Sequence, residues 1–292
     1  MEEQKKQKNI NDLQTNEKIT WCRGCGNFGI FVALRKAILE LNIPLKDIVV
    51  AYGIGCHGHM VNYLKIYGFE GLHGRALPVA EGIKMANKKL TVLAVAGDGD
   101  LLGEGVQHLV HAIRRNINIT CILHDNQLYA LTVNEASPRT EKGMKTRSTP
   151  EGNYVEPINP ISFALGLECS FVARGFSGDV NHLTEIIKRA VNHNGFAFID
   201  VLQPCVTFNY INTFQYFFQR VYKLEETDYD PTNLKLAFEK SFEWGDKIPI
   251  GVFYEKEKSI FTDDHPLLSK IDSLKDHKPL SAIPDDLLNV FK

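Results

Sequence analysis

Apolar and polar residues alternate along residues 21–205 in blocks that predict helices and strands in turn. In Asn27–Leu41 apolar residues recur every three or four positions, which gives a helix one apolar face. Ile48–Tyr52 is instead a short, continuous and β-branched run, which is typical of a strand buried on both faces. The predicted helices are Asn27–Leu41, Leu77–Lys88, Gly105–Asn116, Pro160–Leu167 and Val180–Asn192, and the predicted strands are Ile48–Tyr52, Thr91–Ala96, Asn118–Leu123, Ser170–Ala173 and Phe196–Leu202.

This order of elements predicts an α/β fold, a doubly wound and mostly parallel sheet with helices on both faces. Ligands of such sheets bind at the carboxyl ends of the strands, so the loops that follow strands are the candidate sites. A long polar loop over residues 131–158 interrupts the alternation, and a loop of that length is usually functional or mobile. We expect a polar N-terminal tail over residues 1–18, one domain over 19–209 and a C-terminal extension over 210–292.

Composition excludes several classes of function. The chain has 292 residues, of which 44% are hydrophobic, and 33 basic against 35 acidic residues give a net charge of −2. That balance does not favour binding to nucleic acid or to an anionic membrane. Neither a run of apolar residues long enough to span a bilayer nor an apolar N-terminal signal is apparent, so a cytoplasmic protein is expected.

Two predicted strands end in polar sequences with magnesium-binding potential. One strand ends at Gly97-Asp98-Gly99-Asp100, and the next ends at Asp125-Asn126, with Asn126 28 residues after Asp98. Mg²⁺ requires about six oxygen ligands, which carboxylates, amides, carbonyls, phosphates and water supply. Glycines let the backbone approach a phosphate closely, and a following helix directs its N-terminus at it. The pattern resembles the thiamine-diphosphate motif, in which Asp98, Asn126 and the carbonyl of Leu128 would hold Mg²⁺.

Four of the six cysteines lie in predicted loops. Cys22 and Cys25 form a CxxC pair before the first helix, while Cys56 and Cys205 follow strands. Four thiolates of this kind can enclose either a [4Fe–4S] cluster or a tetrahedral zinc ion. A redox cluster beside a thiamine cofactor can remove electrons one at a time, so the cluster is the favoured interpretation. The remaining two cysteines, Cys121 and Cys169, are expected to be small buried apolar residues.

Several strings together resemble the β subunits of the 2-oxoacid:ferredoxin oxidoreductases, most closely the branch that includes 2-oxoglutarate and broad 2-oxoacid enzymes. The resemblance extends in order from about Ile19 to Asn209. The strings are WCRGCGNFGI, GIGCHGHM, YGFEGLHGRALPVAEGIKMAN, GDGDLLGEGVQHLVHAIRRN, DNQLYALT and QPCVTFN.

The resemblance implies a reaction and partners. A 2-oxoacid, coenzyme A and oxidised ferredoxin would be converted to an acyl-CoA, CO₂ and reduced ferredoxin, or the reverse. The cofactors would be thiamine diphosphate, Mg²⁺ and a [4Fe–4S] cluster. The chain would assemble with an α subunit, as a heterodimer or a dimer of heterodimers. In that family the Glu that activates the cofactor through its aminopyrimidine belongs to the partner.

The resemblance also implies site residues. His73 is a catalytic candidate near the cofactor, and His59 occupies a position where some relatives carry a basic residue that meets the substrate carboxylate. The cluster ligands would be Cys22, Cys25, Cys56 and Cys205. The implied cofactor-binding residues are Gly55, Cys56, His73, Gly97, Asp98, Gly99, Asp100, Asn126, Leu128, Tyr129 and Ala130.

The chain departs from the usual family pattern at several positions. Arg23 stands where Pro is usual, and Asp125 where Asn is often seen. The string Tyr129–Thr132 is followed by Val-Asn-Glu rather than by a Gly-Gln pair, and Arg139 replaces a Thr in Ser-Pro-Thr-Thr. These loops line the expected substrate and coenzyme A approach, so the departures leave the choice of 2-oxoacid open.

Two alternative functions compete with this hypothesis. One is a thiamine-diphosphate decarboxylase or synthase subunit without redox activity, with structural zinc on the cysteines. The other is a subunit without catalysis of its own that serves in electron transfer or assembly. Iron content separates the first alternative from the oxidoreductase, and activity reconstituted with an α subunit separates the second.

Overall fold

A central parallel sheet organises the chain, which a computed structural model describes for residues 9–266, 268–270 and 272–273. The helices are α1 (Asn27–Leu41), α2 (Met60–Tyr63), α3 (Ala76–Ala86), α4 (Val106–Arg115), α5 (Pro160–Gly166), α6 (Val180–Asn192), α7 (Phe214–Phe218), α8 (Leu234–Ser241) and α9 (Phe261–Asp264). The strands are β1 (Ile48–Tyr52), β2 (Tyr67–Glu70), β3 (Thr91–Gly97), β4 (Ile119–Asp125), β5 (Leu128–Tyr129), β6 (Glu135–Ala136), β7 (Phe171–Phe176), β8 (Phe196–Leu202), β9 (Val221–Lys223) and β10 (Ile248–Glu255).

Eight strands form the main sheet in the order β2-β1-β3-β4-β8-β7-β10-β9. Neighbouring strands run parallel except at β10, which is antiparallel to β7. The chain order reverses around β1, β3 and β4, so the carboxyl ends of these strands meet at one edge of the sheet. The predicted α/β fold is therefore confirmed, and this edge is where the candidate site forms.

Two apolar layers cover the sheet. Helices α1 and α6 pack on one face, and α3, α4, α5 and α8 pack on the other. The predicted α1, β1, α6 and β8 have the bounds that the sequence indicates, and the other predicted elements differ by up to three residues at their ends. Helices α1 and α4 both end at an Asn in the left-handed conformation, Asn42 (φ 53°) and Asn116 (φ 46°), which stops the helix without glycine.

The polar N-terminal segment is more ordered than a frayed tail in the part that the structure describes. Leu13 is fully buried in the core. Its carbonyl accepts a hydrogen bond from the Lys65 backbone at 2.8 Å, and Gln14 forms a β-bridge with Leu64. The buried leucine and these backbone contacts together hold the segment against the core. Residues 1–8 of the predicted tail lie outside the described residues.

The chain beyond Cys205 adds strands to the same sheet. The apolar strand β10 is buried along nearly its whole length and lies between β7 and β9. The irregular Phe/Tyr-rich pattern of this region did not predict that strand. The described part of the extension therefore packs on the core and contributes a strand directly to it. The domain boundaries remain a prediction, and residues 274–292 lie outside the described residues.

The long loop over residues 131–158 is packed against the carboxyl edge of the sheet. Strand β6 within it pairs with β5, and Thr140, Met144 and Asn153 are buried. This arrangement favours the functional interpretation of the loop over the mobile one. In the part of the chain that the structure describes, no helix combines the length and the apolar character needed to cross a bilayer.

The buried position of β10 gives a stability prediction. Phe253 is fully buried, so Phe253→Ala should lower the free energy of unfolding by about 3–5 kcal/mol. Phe242→Ala, at a side chain that is 60% exposed, is the matched control and should change it by less than about 1 kcal/mol. Urea denaturation measures both, and equal effects would show that β10 is not part of the core.

Candidate active site

The predicted diphosphate and cofactor residues converge on one cleft. Asp98 and Gly99 follow β3, Asn126 follows β4, and Gly55 follows β1, so three neighbouring strand ends supply the walls. The cleft encloses about 40 Å³. Its lining residues are Ile54, Gly55, Cys56, His57, His73, Gly97, Asp98, Gly99, Asp100, Asn126, Leu128, Tyr129, Ala130, Leu131 and Thr132.

Asp98 is the buried carboxylate of this cleft, with 1% of its surface exposed. Burial raises the pKa of Asp98 well above its usual range, and the nearby carboxylate of Asp125 raises it further. The Ser137 hydroxyl donates a short hydrogen bond to its Oδ2 atom and partly opposes that rise. A divalent cation in the cleft would favour the ionised form, because it would offset the cost of burying the charge.

Asp100 holds two loops in place. Its Oδ1 atom accepts hydrogen bonds from the backbone nitrogens of Gly74 at 2.7 Å and Ile54 at 3.2 Å. Its Oδ2 atom has no hydrogen-bond partner within the described part of the chain and lies 3.8 Å from Nε2 of His57. This second acid of the motif thus ties the loop after β1 to the loop before α3. The sequence alone did not reveal this bracing role.

The glycines of the motif make room for rings as well as for a ligand. A Cβ atom at Gly99 would lie 2.3 Å from the Tyr129 ring, and one at Gly97 would lie 2.8 Å from the His57 ring. Any side chain at either position would therefore displace a residue that lines the cleft. The Tyr129 hydroxyl donates to the Gly99 carbonyl at 3.0 Å, which holds the ring in that space.

The turn at Asn126 is held by several contacts. Its Oδ1 atom accepts from the Leu128 backbone at 2.9 Å, and its carbonyl accepts from Nδ2 of Asn209 at 3.1 Å. Gln127 adopts a left-handed φ of 64°, which is unusual for a residue other than glycine or asparagine. Thr140 donates to the Gln127 carbonyl at 2.6 Å. The sequence alone does not indicate roles for Gln127 and Ser137, because their roles arise from contacts with the long loop.

The four predicted cluster cysteines share a second cavity, of about 190 Å³. Cys22 is exposed, Cys56 is half-buried, and Cys25 and Cys205 are buried. The cavity is lined by Thr20, Trp21, Cys22, Cys25, Cys56, His59, Asn126, Ala130, Leu131, Val133, Gln203, Cys205, Val206, Thr207 and Phe208. The other two cysteines, Cys121 and Cys169, are buried in the core layer with α3 and α4 and lie outside the cavity.

The cysteine cavity disfavours free thiolates. Burial raises the pKa of Cys25 to about 12, and the other three cysteines of the cavity contribute to the rise. Burial likewise raises the pKa of Cys56 to about 11. Gln203 Nε2 donates to the Cys25 sulfur at 3.5 Å, and the Trp21 indole donates to the Cys56 carbonyl at 2.6 Å. A bound metal ion would favour the thiolate form of these sulfurs and so oppose the effect of burial.

The two candidate histidines lie in different cavities. His73 lines the Asp98 cleft, where it is half exposed and its Nδ1 atom lies 3.1 Å from Oε2 of Glu104. His59 lines the cysteine cavity, with its Nδ1 atom 3.4 Å from the hydroxyl of Thr20. The cleft and the cavity share part of their walls, so both histidines lie at the edge of one composite site.

Within the described ranges, no three His, Cys, Asp or Glu side chains form a group that could hold a metal ion. The cysteine cavity nevertheless far exceeds the ~10–15 Å³ that one water-sized probe occupies, so it has room for a group larger than one ion. The expected magnesium site is not a group of that kind. Of its three expected ligands, which are Asp98, Asn126 and the Leu128 carbonyl, only Asp98 is a His, Cys, Asp or Glu.

Comparisons with known proteins identify the family. Residues 53–201 match the family model described as thiamine pyrophosphate enzyme, C-terminal TPP binding domain. A 2-oxoacid:ferredoxin oxidoreductase subunit beta from Sulfolobus sp. is 48% identical over 249 residues, which cover 81% of this chain and 82% of that relative. This chain belongs to the 2-oxoacid:ferredoxin oxidoreductase β subunits. It is an oxidoreductase subunit whose main domain is of the thiamine-diphosphate-binding type.

Further relatives agree with this membership in the β-subunit family. The 2-oxoacid:ferredoxin oxidoreductase subunit beta from Saccharolobus solfataricus is 46% identical over 271 residues, 89% of this chain and 88% of that relative. Residues 205–270 match a second family model, which describes the C-terminal part of the pyruvate ferredoxin oxidoreductase β subunit. A solved 2-oxoglutarate:ferredoxin oxidoreductase from Magnetococcus marinus, with 2-oxoglutarate, coenzyme A and succinyl-CoA bound, has a TM-score of 0.88 at 33% identity, over 98% of this chain and 96% of that chain.

Two departures from the usual β-subunit pattern meet in the structure. Asp125, at the end of β4, forms a buried ion pair with Arg139 of the long loop, with 2.8 Å between Oδ2 and Nε. Burial raises the pKa of Asp125 to about 6, while Arg139 acts in the opposite direction. The sequence showed these two departures separately, 14 residues apart, and did not indicate that they are partners.

Proposed function

We propose that this β subunit binds thiamine diphosphate, Mg²⁺ and a [4Fe–4S] cluster, and that with an α subunit it catalyses coenzyme A-dependent oxidative decarboxylation of a 2-oxoacid. Electrons would pass through the cluster to ferredoxin, and the reaction is reversible. The observation that carries the proposal is the shared wall of the two cavities. Cys56, Asn126, Ala130 and Leu131 line both, so the diphosphate cleft adjoins the cysteine cavity.

The residues of the Asp98 cleft fit a magnesium diphosphate. Asp98 and Asn126 would supply a carboxylate and an amide oxygen, and the Leu128 carbonyl would supply a third ligand. Asp98 is a buried acid whose ionised form needs a cation, and Gly97 and Gly99 leave no side chain of their own in the cleft. When bound, the thiazolium of thiamine diphosphate accepts the electron pair that is released as CO₂ leaves a 2-oxoacid.

The cysteine cavity fits a polynuclear cluster. Cys22, Cys25, Cys56 and Cys205 surround a space larger than one ion needs, and none of them is engaged in a disulfide. A [4Fe–4S] cluster takes four thiolates, which matches this set in number and type. The Gln203 amide that donates to the Cys25 sulfur would stabilise a thiolate ligand there.

The substrate is proposed to be 2-oxoglutarate, with pyruvate as the alternative. The Magnetococcus marinus structure, which is named for 2-oxoglutarate and contains it, supports this choice. His59 lines the cysteine cavity, and a protonated imidazole there would attract a substrate carboxylate. His73 would act at the edge of the diphosphate cleft. The site of action is proposed to be the cytoplasm.

Asp98 gives the first prediction for this function. Asp98→Ala should weaken binding of thiamine diphosphate with Mg²⁺ by at least tenfold, about 1.4 kcal/mol, because the cation loses its anionic ligand. Asn126→Ala should change binding in the same direction. Without cofactor, Asp98→Ala should melt no lower than the wild type, because it removes a buried carboxylate.

Calorimetric titration and thermal melts with and without cofactor measure these effects. The exposed Asp228→Ala is the matched control and should bind the cofactor like the wild type. Tight cofactor binding retained in both the Asp98 and Asn126 variants would refute the magnesium assignment.

The second prediction concerns the cysteines. Replacement of Cys22, Cys25, Cys56 or Cys205 by Ala should each abolish iron content and the broad visible absorbance, roughly near 400 nm, of a thiolate-bound cluster. Cys121→Ala and Cys169→Ala are the controls and should retain both, because these residues lie outside the cavity. Anaerobic purification followed by iron and zinc analysis measures this. Stoichiometric zinc without iron would favour the alternative without redox activity.

The third prediction tests the need for a partner. Since the activating Glu is expected on the α subunit, the isolated chain should show no 2-oxoacid-dependent reduction of ferredoxin or of a viologen dye. General acid–base catalysis of this kind typically contributes about 10²–10⁴-fold. Addition of the α subunit should restore turnover, assayed with 2-oxoglutarate and pyruvate. Substantial turnover by the purified chain alone would contradict the two-subunit hypothesis.

A further inference from the structure

The Asp125–Arg139 ion pair lies directly behind the proposed metal ligands. The Asp125 side chain is fully buried and that of Arg139 is 7% exposed. An unpaired charge in such a place costs several kcal/mol, whereas a paired and hydrogen-bonded charge is tolerated. Arg139 therefore has a defined electrostatic partner, and its removal would leave Asp125 beside Asp98 without its hydrogen-bonded cation and with only the more indirect influence of Arg174.

Arg139 also ties the long loop together. Its Nη1 atom donates to the Ile158 carbonyl at 2.5 Å, at the far end of the loop. Its backbone nitrogen donates to the Ser137 hydroxyl at 3.1 Å, and that hydroxyl donates to Asp98. A continuous set of contacts thus leads from Asp125 through Arg139 and Ser137 to the proposed anionic metal ligand.

The same loop segment holds the other proposed ligand. Asp125 directly precedes Asn126, and its carbonyl accepts from the Gln203 backbone at 2.9 Å. Thr140, next to Arg139, donates to the carbonyl of Gln127 in the strained turn. The ion pair therefore joins the two segments that carry the proposed magnesium ligands.

We propose that Arg139 is a positioning residue for the metal–diphosphate site. Through its ion pair with Asp125 it fixes Ser137 against Asp98 and fixes the turn at Asn126. This inference rests on the proposed function, since it requires that Mg²⁺ and thiamine diphosphate bind in the Asp98 cleft.

A second buried ion pair serves as the matched control. Arg174 of β7 and Asp200 of β8 pair at 3.0 Å, with 1% and 0% of their side chains exposed. In the hydrogen bonds of the described residues, this pair is not joined to Ser137 or to Asp98. The charges of this pair do act on Asp125 and Arg139 through space. Arg174→Gln should therefore lower stability and raise the Mg²⁺ requirement by much less than Arg139→Gln does.

The experiment uses the full chain in complex with its partner subunit. The variants are Arg139→Gln, Asp125→Asn, the double variant and Arg174→Gln. Thiamine diphosphate binding is titrated at several Mg²⁺ concentrations, and thermal unfolding is followed without cofactor. Arg139→Gln should raise both the cofactor Kd and the half-saturating Mg²⁺ concentration by at least about tenfold. The double variant should recover to within roughly threefold of the wild type, because no charge is then left unpaired.

The outcomes are distinct. If Arg139→Gln binds thiamine diphosphate as tightly as the wild type and with an unchanged Mg²⁺ requirement, the inference is overturned but the proposed function is not. The same holds if the double variant fails to recover. Absence of thiamine diphosphate binding in the wild type overturns the proposed function as well. If Arg139→Gln does not fold, Ser137→Ala decides, since it keeps the ion pair and removes the hydroxyl that donates to Asp98 and accepts from the Arg139 backbone. It should raise the Mg²⁺ requirement by roughly threefold or more, and an unchanged requirement overturns the inference.

Discussion

Buried carboxylates at the ends of parallel strands are the constraint on which the rest of the site depends. Asp98 follows β3, Asp125 ends β4 and Asp200 lies in β8, so three acids enter the interior at one edge of the sheet. Each would be costly alone. Arg139 and Arg174 pair with two of them, and Asp98 is left with a hydroxyl donor as its hydrogen-bonded side-chain partner among the described residues. Asp98, unlike Asp125 and Asp200, forms no ion pair among the described residues, and it lines the cleft where a ligand would bind.

The cysteine cavity presents the opposite electrostatic problem. Its thiols are held in a mostly apolar wall, where burial raises the pKa of Cys25 and Cys56. Little in that wall favours a thiolate apart from amide donors such as Gln203. The carboxylate cleft and the thiol cavity thus have in common that burial disfavours the ionised forms of their acidic side chains.

Most of the fold was predictable because its pattern is local. Continuous β-branched runs such as β1 and the apolar face of α1 indicated the sheet and its helical layers. Strand β10 was not predicted, since its place in the sheet depends on pairing with the distant β7. The convergence of the motif residues followed from strand order. The roles of Ser137, Gln127 and Arg139 did not, because they depend on how a long irregular loop folds back on the sheet.

The shared wall between the two cavities has an evolutionary consequence. A substitution at Cys56, Asn126, Ala130 or Leu131 changes the shape of both spaces at once. Neither space can therefore be remodelled through these positions without a matching change in the other. Residues that line one space alone, such as His59 and Val133 on one side and Thr132 on the other, can change without reshaping the second space. New substrate preferences could arise through such residues while the shared wall is kept.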